Sequence, residues 1–311
     1  MSPLSQHPAP EHVVVHISDT HLLESAKLYG SVDSDGYLVS LMERLVASDL
    51  SIDALVFTGD LADRAEAGAY RRLRDIIEPY AHRLEAAVVW VMGNHDEREP
   101  FSEILCDEEP SSAPQDRVFH LGGLRLIALD SSVPGFHHGE LSPDQLQWLA
   151  EVLATPAPHG TILALHHPPI PTPIALMGMI ELQDQQALAA VVEGTDVRAV
   201  LAGHLHYSTF STFAGVPISV AAASCYNIDL IADSSKILSA VSAGVGASLV
   251  HVYPDQVVFS SLFFDDGQEF ASYDSSYAKQ VATLTPDERK AIFSAKDSEF
   301  NRRIDHQQSG R

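Results

Sequence analysis

Asp, Asn and His side chains follow five separate apolar runs of this sequence, at the point where each run ends. They belong to Asp19, His21, Asp60, Asn94, His95, His166, His204 and His206. Carboxylate and amide oxygens together with imidazole nitrogens suit first-row transition metal ions, and this set contains no thiolate. One pair alone, such as Asp19 and His21, is a metal-binding pair, a salt bridge or a coincidence. Five such strand ends in one chain favour a metal centre.

The apolar runs before these residues have the character of buried parallel strands. They lie at 13–17, 54–57, 87–92, 161–165 and 197–201. Most are continuous rather than alternating, which is typical of strands covered on both faces. Helical spacing of apolar residues occurs at 38–50 and 66–80. Because ligand sites of open α/β sheets form at the carboxyl ends of strands, we expect the polar side chains to meet there.

The types of these residues predict a centre for two metal ions. In an extended backbone alternate side chains share a face, so Asp19 and His21 are predicted to project together. Two ions about 3.5–4 Å apart can clamp the entering and leaving oxygens of a phosphoryl displacement. Two divalent ions carry four positive charges, of which the carboxylates of Asp19 and Asp60 cancel two. The predicted pocket is therefore locally positive, as an anionic phosphate ester requires.

The overall charge narrows the classes of partner. The 311 residues contain 19 Lys and Arg against 42 Asp and Glu, a formal net charge of −23. Such a surface repels phosphate backbones, so we expect no nucleic-acid polymer as partner and disfavour a DNA nuclease. No run approaches the roughly 18 apolar residues of a membrane span, and the N-terminus lacks a signal-peptide pattern. We therefore expect a cytoplasmic protein without integral membrane contact. Cys106 and Cys225 lack the spacing of a disulfide framework or a thiolate zinc site.

The order of elements predicts one main domain. Strand–helix alternation gives way to a strand-on-strand pattern in the last third, which indicates a single domain with mixed sheets. We expect a disordered N-terminus at 1–11, the domain at 12–265, and a C-terminal helical segment and tail at 266–311. Within the domain, 225–247 is rich in Ala, Ser and Gly and is interpreted as a long mobile loop. The C-terminal segment is either a frayed surface helix or a lid or oligomer contact, and a homodimer is one expectation.

The polar motifs carry a family resemblance. DTH, GDLAD, GNHD, HHPP and GHLH, in this order between residues 19 and 206, resemble the motifs of calcineurin-like metallophosphoesterases. The wider context, including VFTGDLAD and LALHHPPIP, is similar to bacterial class III cyclic nucleotide phosphodiesterases of the mycobacterial cyclic-AMP type. The resemblance implies a mixed α/β fold, a four-layer αββα sandwich of two mixed β-sheets flanked by helices, with a dimetal site at one edge.

The resemblance also implies roles for single residues. Two metal ions per chain are expected, drawn from iron, manganese, zinc and cobalt. The implied ligands are Asp19, His21 and His206 for the first ion, Asn94, His166 and His204 for the second, and Asp60 for both. A hydroxide between the ions would attack phosphorus in line with the leaving oxygen. His95 would contact the phosphate and protonate the leaving alkoxide.

Further residues near the motifs have weaker signals. Asp63 follows the bridging Asp60 by three residues and is interpreted as orienting His95 and raising its pKa, although it could instead cap the helix that starts nearby. His167 would point away from the ligands and is interpreted as a supporting or packing residue. The predicted substrate contacts are Asn94, His95 and His206, with His138 and Tyr29 as additional candidates.

The sequence therefore predicts a metal-dependent phosphodiesterase that hydrolyses 3′,5′-cyclic AMP, and other cyclic nucleotides, to nucleoside monophosphates. The alternative is a broad-specificity phosphodiesterase acting on 2′,3′-cyclic nucleotides or glycerophosphodiesters. A non-catalytic scaffold of this fold would lack ligands or the catalytic histidine, and here none is missing. After about residue 225 the sequence departs from the mycobacterial type, which leaves nucleotide selectivity open.

Overall fold

The computed structural model describes residues 6–264, 281–300 and 302. The chain divides into a compact unit of Pro10–Asp265 and a second unit made of Met1–Ala9 with Asp266–Arg311. The domain boundaries expected from the sequence stay a prediction, and parts of the predicted terminal segments lie outside the described residues, at 1–5, 265–280, 301 and 303–311. Within the described ranges, no helix is long and apolar enough to cross a membrane.

Strands and helices alternate in the first two thirds of the chain. The strands of the described ranges are β1 (His12–Ile17), β2 (Ala54–Thr58), β3 (Ala87–Val91), β4 (Arg117–Leu121), β5 (Leu124–Leu129), β6 (Thr161–Leu165), β7 (Val197–Ala202), β8 (Thr209–Phe213), β9 (Val216–Val220), β10 (Asn227–Ile228), β11 (Ala240–Val241), β12 (Gly246–Val252) and β13 (Val257–Phe263). The α-helices whose bounds lie within the described ranges are α1 (Ser34–Ala47), α2 (Ala67–Leu84), α3 (Arg98–Leu105), α4 (Pro143–Leu153), α5 (Ala175–Gly178), α6 (Gln185–Val192) and α7 (Pro286–Arg289), the last followed by a π-helical turn at Lys290–Ser294.

The longer strands form two mixed sheets. The five-stranded sheet has the order β13-β12-β1-β2-β3, with β1, β2 and β3 parallel and β12 and β13 antiparallel. The six-stranded sheet has the order β4-β5-β6-β7-β9-β8, with four parallel inner strands and antiparallel edges. The mixed character predicted from the order of elements is therefore confirmed. Strands β1, β2, β3, β6 and β7 are the five whose ends carry the polar motifs.

Apolar side chains pack in three buried layers. The facing surfaces of the two sheets meet in a core of small aliphatic residues such as Val14, Val56 and Leu201. Helices α1, α2 and α3 cover the outer face of the five-stranded sheet through a core that includes Tyr70. Helices α4 and α6 cover the six-stranded sheet around Leu163. The four-layer αββα sandwich implied by the resemblance is confirmed.

Local sequence signals explain where elements begin and turn. Ser142 Oγ accepts a hydrogen bond from Gln145 N at 3.2 Å, and the Gln145 side chain accepts one from Ser142 N at 3.1 Å. This capping box starts α4. Strands β8 and β9 are joined by Ala214 and Gly215, which have φ angles of 48° and 82°. A two-residue hairpin with positive φ at both positions matches the twist of its strands, and it brings β9 back beside β7.

Parts of the segment 225–247, interpreted from its sequence as a long mobile loop, are packed in the structure. Its first residues are packed, and Cys225 is buried. The Asn227 side chain accepts a hydrogen bond from Ala223 N at 3.2 Å and donates one to Ala243 O at 3.0 Å. A short antiparallel pair, β10 with β11, closes the segment. The polar side chain of Asn227 thus supplies order that the small neighbouring residues do not predict.

Candidate metal centre

The polar side chains singled out in the sequence lie together at the edge of the sandwich where five parallel strands end. Strands β1, β2 and β3 contribute from one sheet, and β6 and β7 contribute from the other. Six of the eight side chains are buried: Asp19, His21, Asp60, His166, His204 and His206. Asn94 and His95 are half-buried at the rim. The loops after the strands, rather than the strands themselves, carry all of them.

The backbone at these residues is unusual. Five of the polar residues have positive φ angles: Asp19 at 51°, His21 at 44°, Asp60 at 51°, His204 at 70° and His206 at 53°. The extended geometry predicted for Asp19 and His21 is therefore wrong, because β1 has already ended at Ile17. Asp and His tolerate the left-handed region better than branched residues do. Hydrogen bonds hold the turn: Asp19 N donates to Gly59 O at 3.0 Å and His21 N donates to Asp60 O at 2.9 Å.

Glycines let the ligand loops approach one another. A Cβ atom added at Gly93 would collide with the backbone and carboxylate of Asp60. A Cβ atom at Gly203 would collide with Ser18 Oγ and come within 2.8 Å of Asp19 Oδ2. Close approach of the backbones therefore explains the glycines that stand just before Asn94 and His204.

Each of the four buried imidazoles has one nitrogen fixed by an acceptor outside the centre. The hydrogen bonds run from His21 Nδ1 to Asp63 Oδ1 (3.0 Å), from His166 Nδ1 to Thr58 O (2.7 Å), from His204 Nε2 to Ile180 O (3.0 Å) and from His206 Nδ1 to Tyr226 O (3.0 Å). In a neutral ring the other nitrogen then has a free lone pair, and in each case it faces the centre. Metal-binding histidines are held in this way.

The first set of inward-facing atoms comes from β1, β2 and β7. His21 Nε2 lies 3.4 Å from Asp60 Oδ2 and 3.2 Å from His206 Nε2. His206 Nε2 in turn lies 3.3 Å from Asp19 Oδ1. One ligand atom from each of the four residues lies within 4.8 Å of the others. This set offers two carboxylates and two imidazoles to one cation.

The second set adjoins the first through the same carboxylate. His166 Nε2 lies 3.3 Å from Asp60 Oδ2, the oxygen that also faces the first set. The same nitrogen lies 3.1 Å from Asn94 Oδ1 and 3.2 Å from His204 Nδ1. This set offers an amide oxygen, two imidazoles and a carboxylate. Asp60 is common to both sets.

The charges of the centre are coupled. Burial disfavours a charge on Asp60, yet the neighbouring His166 and His21 outweigh it and hold the pKa of the carboxyl well below its usual range. Burial would lower the pKa of His21, but hydrogen bonds to Asp60 and Asp63 raise it to about 10. Against burial, the charge of Asp60 similarly raises the pKa of His166 to about 9. The buried carboxylates need positive charge beside them, which imidazolium groups or cations can supply.

The residues present fit two transition-metal ions. Oxygen and imidazole donors are adjacent and, except for the half-buried Asn94, buried, and outer hydrogen bonds already orient the imidazoles. Hard oxygen and imidazole ligands without thiolate match first-row ions such as iron, manganese, cobalt or zinc. A carboxylate whose one oxygen faces both donor sets can bridge two metal ions.

His95 lies at the rim with one ring nitrogen fixed. Its backbone N donates to Asp60 Oδ1 at 2.8 Å, and its Nδ1 donates to the backbone O of Asp63 at 2.8 Å. The Asp63 carboxylate lies 3.9 Å from His95 Nδ1 and instead accepts from His21 Nδ1. Helix α2 begins at Ala67, so Asp63 is not its cap. Asp63 thus contacts His95 through its carbonyl and His21 through its carboxylate, and the role predicted for it stays a prediction.

Asp96, the last residue of GNHD, joins two of the ligand loops and was missed in the sequence. Its carboxylate accepts hydrogen bonds from Gly93 N at 2.9 Å, from Leu61 N and Ala62 N at 3.2 Å, and from Tyr70 Oη at 2.9 Å. Burial raises the pKa of Asp96 to about 6. Its position directly after the candidate residues Asn94 and His95 was the one sign in the sequence that Asp96 could matter. An Asp that accepts hydrogen bonds only from backbone N–H groups and a tyrosine hydroxyl has no sequence pattern of its own.

The loop after β5 contacts the second donor set through His137, not through the neighbouring His138. Asn94 Nδ2 donates to His137 Nδ1 at 2.9 Å, which leaves Asn94 Oδ1 facing the centre. The His138 Nε2 donates to Glu140 Oε1 at 2.9 Å within the same loop. The substrate contact expected of His138 stays a prediction, whereas His137 contacts Asn94.

Two more buried groups adjoin the ligand candidates. Both ring nitrogens of His167 are engaged, Nδ1 by Ser131 Oγ at 2.9 Å and Nε2 by His137 O at 3.1 Å. This agrees with a supporting role rather than a ligand role. Cys225 Sγ lies 4.0 Å from His206 Nδ1, and burial raises the pKa of this thiol well above its usual value. A protonated thiol is a poor ligand, and a lone cysteine gave no signal in the sequence.

The αββα sandwich, with two donor sets that share a carboxylate at the carboxyl edge of its parallel strands, defines a dimetal phosphoesterase. The family model described as calcineurin-like phosphoesterase matches residues 12–208. The chain belongs to this family. The resemblance inferred from the five motifs is therefore confirmed.

Named relatives extend over nearly the whole chain. A cAMP/cGMP dual specificity phosphodiesterase of Mycobacterium tuberculosis is 52% identical over 296 residues, 93% of each chain. A probable cyclic nucleotide phosphodiesterase of Rhodococcus erythropolis is 50% identical over 256 residues, 82% of this chain and 85% of that one. Among solved structures, a dimetal phosphatase of Danio rerio superposes with a TM-score of 0.58 at 15% identity, covering 82% of this chain and 97% of that one, so the two share a fold.

Proposed function

We propose that this protein is a metal-dependent phosphodiesterase that hydrolyses 3′,5′-cyclic AMP, and other cyclic nucleotides, to nucleoside monophosphates. The observation that carries the proposal is Asp60, whose Oδ2 lies 3.4 Å from His21 Nε2 of one donor set and 3.3 Å from His166 Nε2 of the other. The identity of 52% over 93% of both chains with a named cAMP/cGMP phosphodiesterase supports the substrate class.

The proposed metal ligands follow the two donor sets. They are Asp19, His21 and His206 for the first ion, Asn94, His166 and His204 for the second, and Asp60 for both. When bound, the two ions supply positive charge to the phosphate and promote attack by water. Iron, manganese, zinc and cobalt are the proposed metals, because the ligands are imidazoles and hard oxygens.

His95 is the proposed proton donor. Because its Nδ1 donates to the Asp63 carbonyl, Nε2 is the nitrogen left for the substrate. A protonated Nε2 can transfer its proton to the ribose oxygen as the P–O bond breaks. Asn94 and His206 are proposed to contact the phosphate beside their metal ions, and His138 is a further candidate from the loop after β5. A homodimer, a cytoplasmic location and the absence of nucleic-acid partners stay predictions from the sequence.

A substrate panel tests the proposal. One manganese-loaded preparation is assayed with 3′,5′-cyclic AMP, 2′,3′-cyclic AMP, glycerophosphocholine and bis-p-nitrophenyl phosphate. An Asp60→Asn variant, purified and loaded in the same way, is the control for contaminating activity. We expect 3′,5′-cyclic AMP to be converted to the monophosphate with the highest kcat/KM among the three biological diesters. A clear preference for glycerophosphocholine or 2′,3′-cyclic AMP would replace the proposed substrate with the broad-specificity alternative.

A further inference from the structure

Two tyrosine rings extend the candidate metal centre towards solvent. The ring of Tyr226 lies against the imidazole of His206, with centroids 4.4 Å apart, and the ring of Tyr29 lies 5.5 Å from that of Tyr226. Tyr226 also accepts the hydrogen bond from His206 Nδ1 through its backbone carbonyl. One residue therefore contacts a proposed ligand with both its backbone and its ring. The hydrogen bond that orients His206 uses the carbonyl of Tyr226 and not its ring.

The backbone presents Tyr29 to solvent. Its side chain is 70% exposed, and its φ angle of 50° is unusual for a bulky residue. Gly30, at φ 74°, follows it in a tight turn closed by a hydrogen bond from Val32 N to Leu28 O at 3.0 Å. Leu28 is buried in a small apolar cluster against which Val32 and Tyr226 also pack. The packed cluster beneath this turn thus supports an exposed aromatic ring.

The phenol of Tyr29 also affects that of Tyr226. Burial, together with a hydrogen bond to the Tyr29 phenol, raises the pKa of Tyr226. The exposed ring thus packs on a half-buried one, and the half-buried one packs on the metal-ligand candidate His206. A ring that is already fixed loses little conformational entropy when a ligand stacks on it.

We propose that Tyr29 and Tyr226 form a base platform: the nucleobase of the substrate stacks on the exposed ring of Tyr29, while Tyr226 positions that ring beside the centre. This inference rests on the proposed function. A nucleotide whose phosphate lies at the metal centre extends its base one ribose away, and two consecutive ring contacts lead from His206 to the exposed ring of Tyr29. Stacking uses the π-face that every base has, so the platform accepts adenine and guanine alike.

A second exposed aromatic residue provides a matched control. Phe136 is 60% exposed in the loop after β5, and its ring lies 5.4 Å from that of His138. The adjacent His137 contacts Asn94, so this loop adjoins the second donor set, whereas Tyr226 adjoins the first. Phe136→Ala therefore removes an equally accessible ring from the other side of the centre.

The test compares Tyr29→Ala, Tyr29→Phe and Phe136→Ala on two substrates with the same cyclic phosphate. One is 3′,5′-cyclic AMP, and the other is methyl ribofuranoside 3′,5′-cyclic phosphate, which has no base. We expect Tyr29→Ala to raise KM for cyclic AMP about tenfold, the usual scale of one lost base stack, with little change for the base-free substrate. Tyr29→Phe keeps the ring and should change KM for cyclic AMP by less than about threefold. Phe136→Ala should leave both substrates nearly unchanged.

Binding of adenosine monophosphate, measured by equilibrium dialysis, separates this inference from the proposed function. Tyr29→Ala should weaken binding about tenfold even if the wild type prefers another diester in the hydrolysis assay. Equal losses on the substrate with a base and the substrate without one would overturn the platform, since Tyr29 would then only shape the centre. A loss confined to Phe136→Ala would also overturn it, because the base would lie on the opposite rim. Unchanged binding of the monophosphate in Tyr29→Ala would have the same consequence.

Discussion

Replacement of His95 by alanine separates proton transfer from metal binding. The variant removes the imidazole but keeps the backbone N–H that donates to Asp60 Oδ1 at 2.8 Å. The ring of His95 packs edge-on against that of His21, with centroids 4.7 Å apart. The hydrogen bond that orients His21, however, runs from its Nδ1 to the Asp63 carboxylate and does not involve His95. The atoms that orient the proposed ligands are therefore still present in His95→Ala. We expect two metal ions per chain in the variant, as in the wild type.

The expected loss depends on the leaving group. The ribose oxygen of a cyclic nucleotide leaves as a basic alkoxide, so kcat for 3′,5′-cyclic AMP should fall by about 10²–10⁴, or roughly 3–5 kcal/mol of transition-state stabilisation. The p-nitrophenolate ion is stable without a proton, so kcat for bis-p-nitrophenyl phosphate should fall by less than about tenfold. The ratio of the two losses is the quantity that reports general acid catalysis.

The assay measures kcat and KM on both substrates for wild type, His95→Ala and His95→Gln, with the metal content of each sample determined by elemental analysis. Glutamine can still donate a hydrogen bond to the phosphate but cannot transfer a proton at neutral pH. His95→Gln should therefore show the same split between substrates with a smaller change in KM. Equal losses on both substrates would show that His95 only binds the phosphate. Loss of metal from His95→Ala would show that the ring is structural.

Two further substitutions and one measurement of proton release test the arrangement around the centre. Asp60→Ala removes the carboxylate shared by both donor sets, so elemental analysis should find fewer than two ions per chain; two ions retained would refute the bridging role. Asp63→Asn keeps the backbone carbonyl that accepts from His95 but weakens the acceptor of His21 Nδ1. Metal affinity should therefore fall about 10–100-fold, with equal effects on cyclic AMP and bis-p-nitrophenyl phosphate. A difference between these two substrates as large as that in His95→Ala would contradict this. Because the pKa values of His21 and His166 are raised to about 10 and about 9, both rings are protonated at pH 7–8 and must become neutral to bind metal. When manganese is added and the release of protons is followed with a pH indicator, up to about two protons per chain should be released. The affinity for manganese should weaken as the pH falls. Metal binding without proton release would refute the assignment of His21 and His166 as ligands.

Positions of the functional residues were predictable because two local signals coincide in the sequence. Continuous apolar runs mark buried parallel strands, and polar residues placed after glycine mark their ends. The structure brings Asp60 and His166 together although they lie in different sheets. Packing of the two sheets through small aliphatic residues such as Ala164 makes this approach possible. The meeting of these side chains was therefore predictable from the ends of several strands taken together, and no single motif would have predicted it.

Contacts that orient the ligands were not predictable, because they join loops distant in sequence or use backbone atoms. His204 donates to the carbonyl of Ile180, and Asn94 donates to His137, which lies 43 residues away. Every residue has a backbone carbonyl, so the sequence does not indicate which carbonyl accepts a hydrogen bond. The left-handed backbone of Asp19 and His21 was missed for a related reason: an alternating pattern predicts an extended strand, while hydrogen bonds between loops impose a turn. Tertiary contacts decide such details.

Asp60 contacts both the candidate metal centre and the proposed proton donor His95. Its Oδ2 lies within 3.4 Å of His21 Nε2 and His166 Nε2, so this oxygen faces both donor sets. Its Oδ1 accepts the backbone N–H of His95 at 2.8 Å, so the other oxygen fixes the position of the proposed proton donor. The distance between the two donor sets and His95 therefore depends on one buried carboxylate, whose pKa the imidazole neighbours lower. In a chain of net charge −23, this local arrangement, and not the average surface, determines whether a phosphate anion can bind.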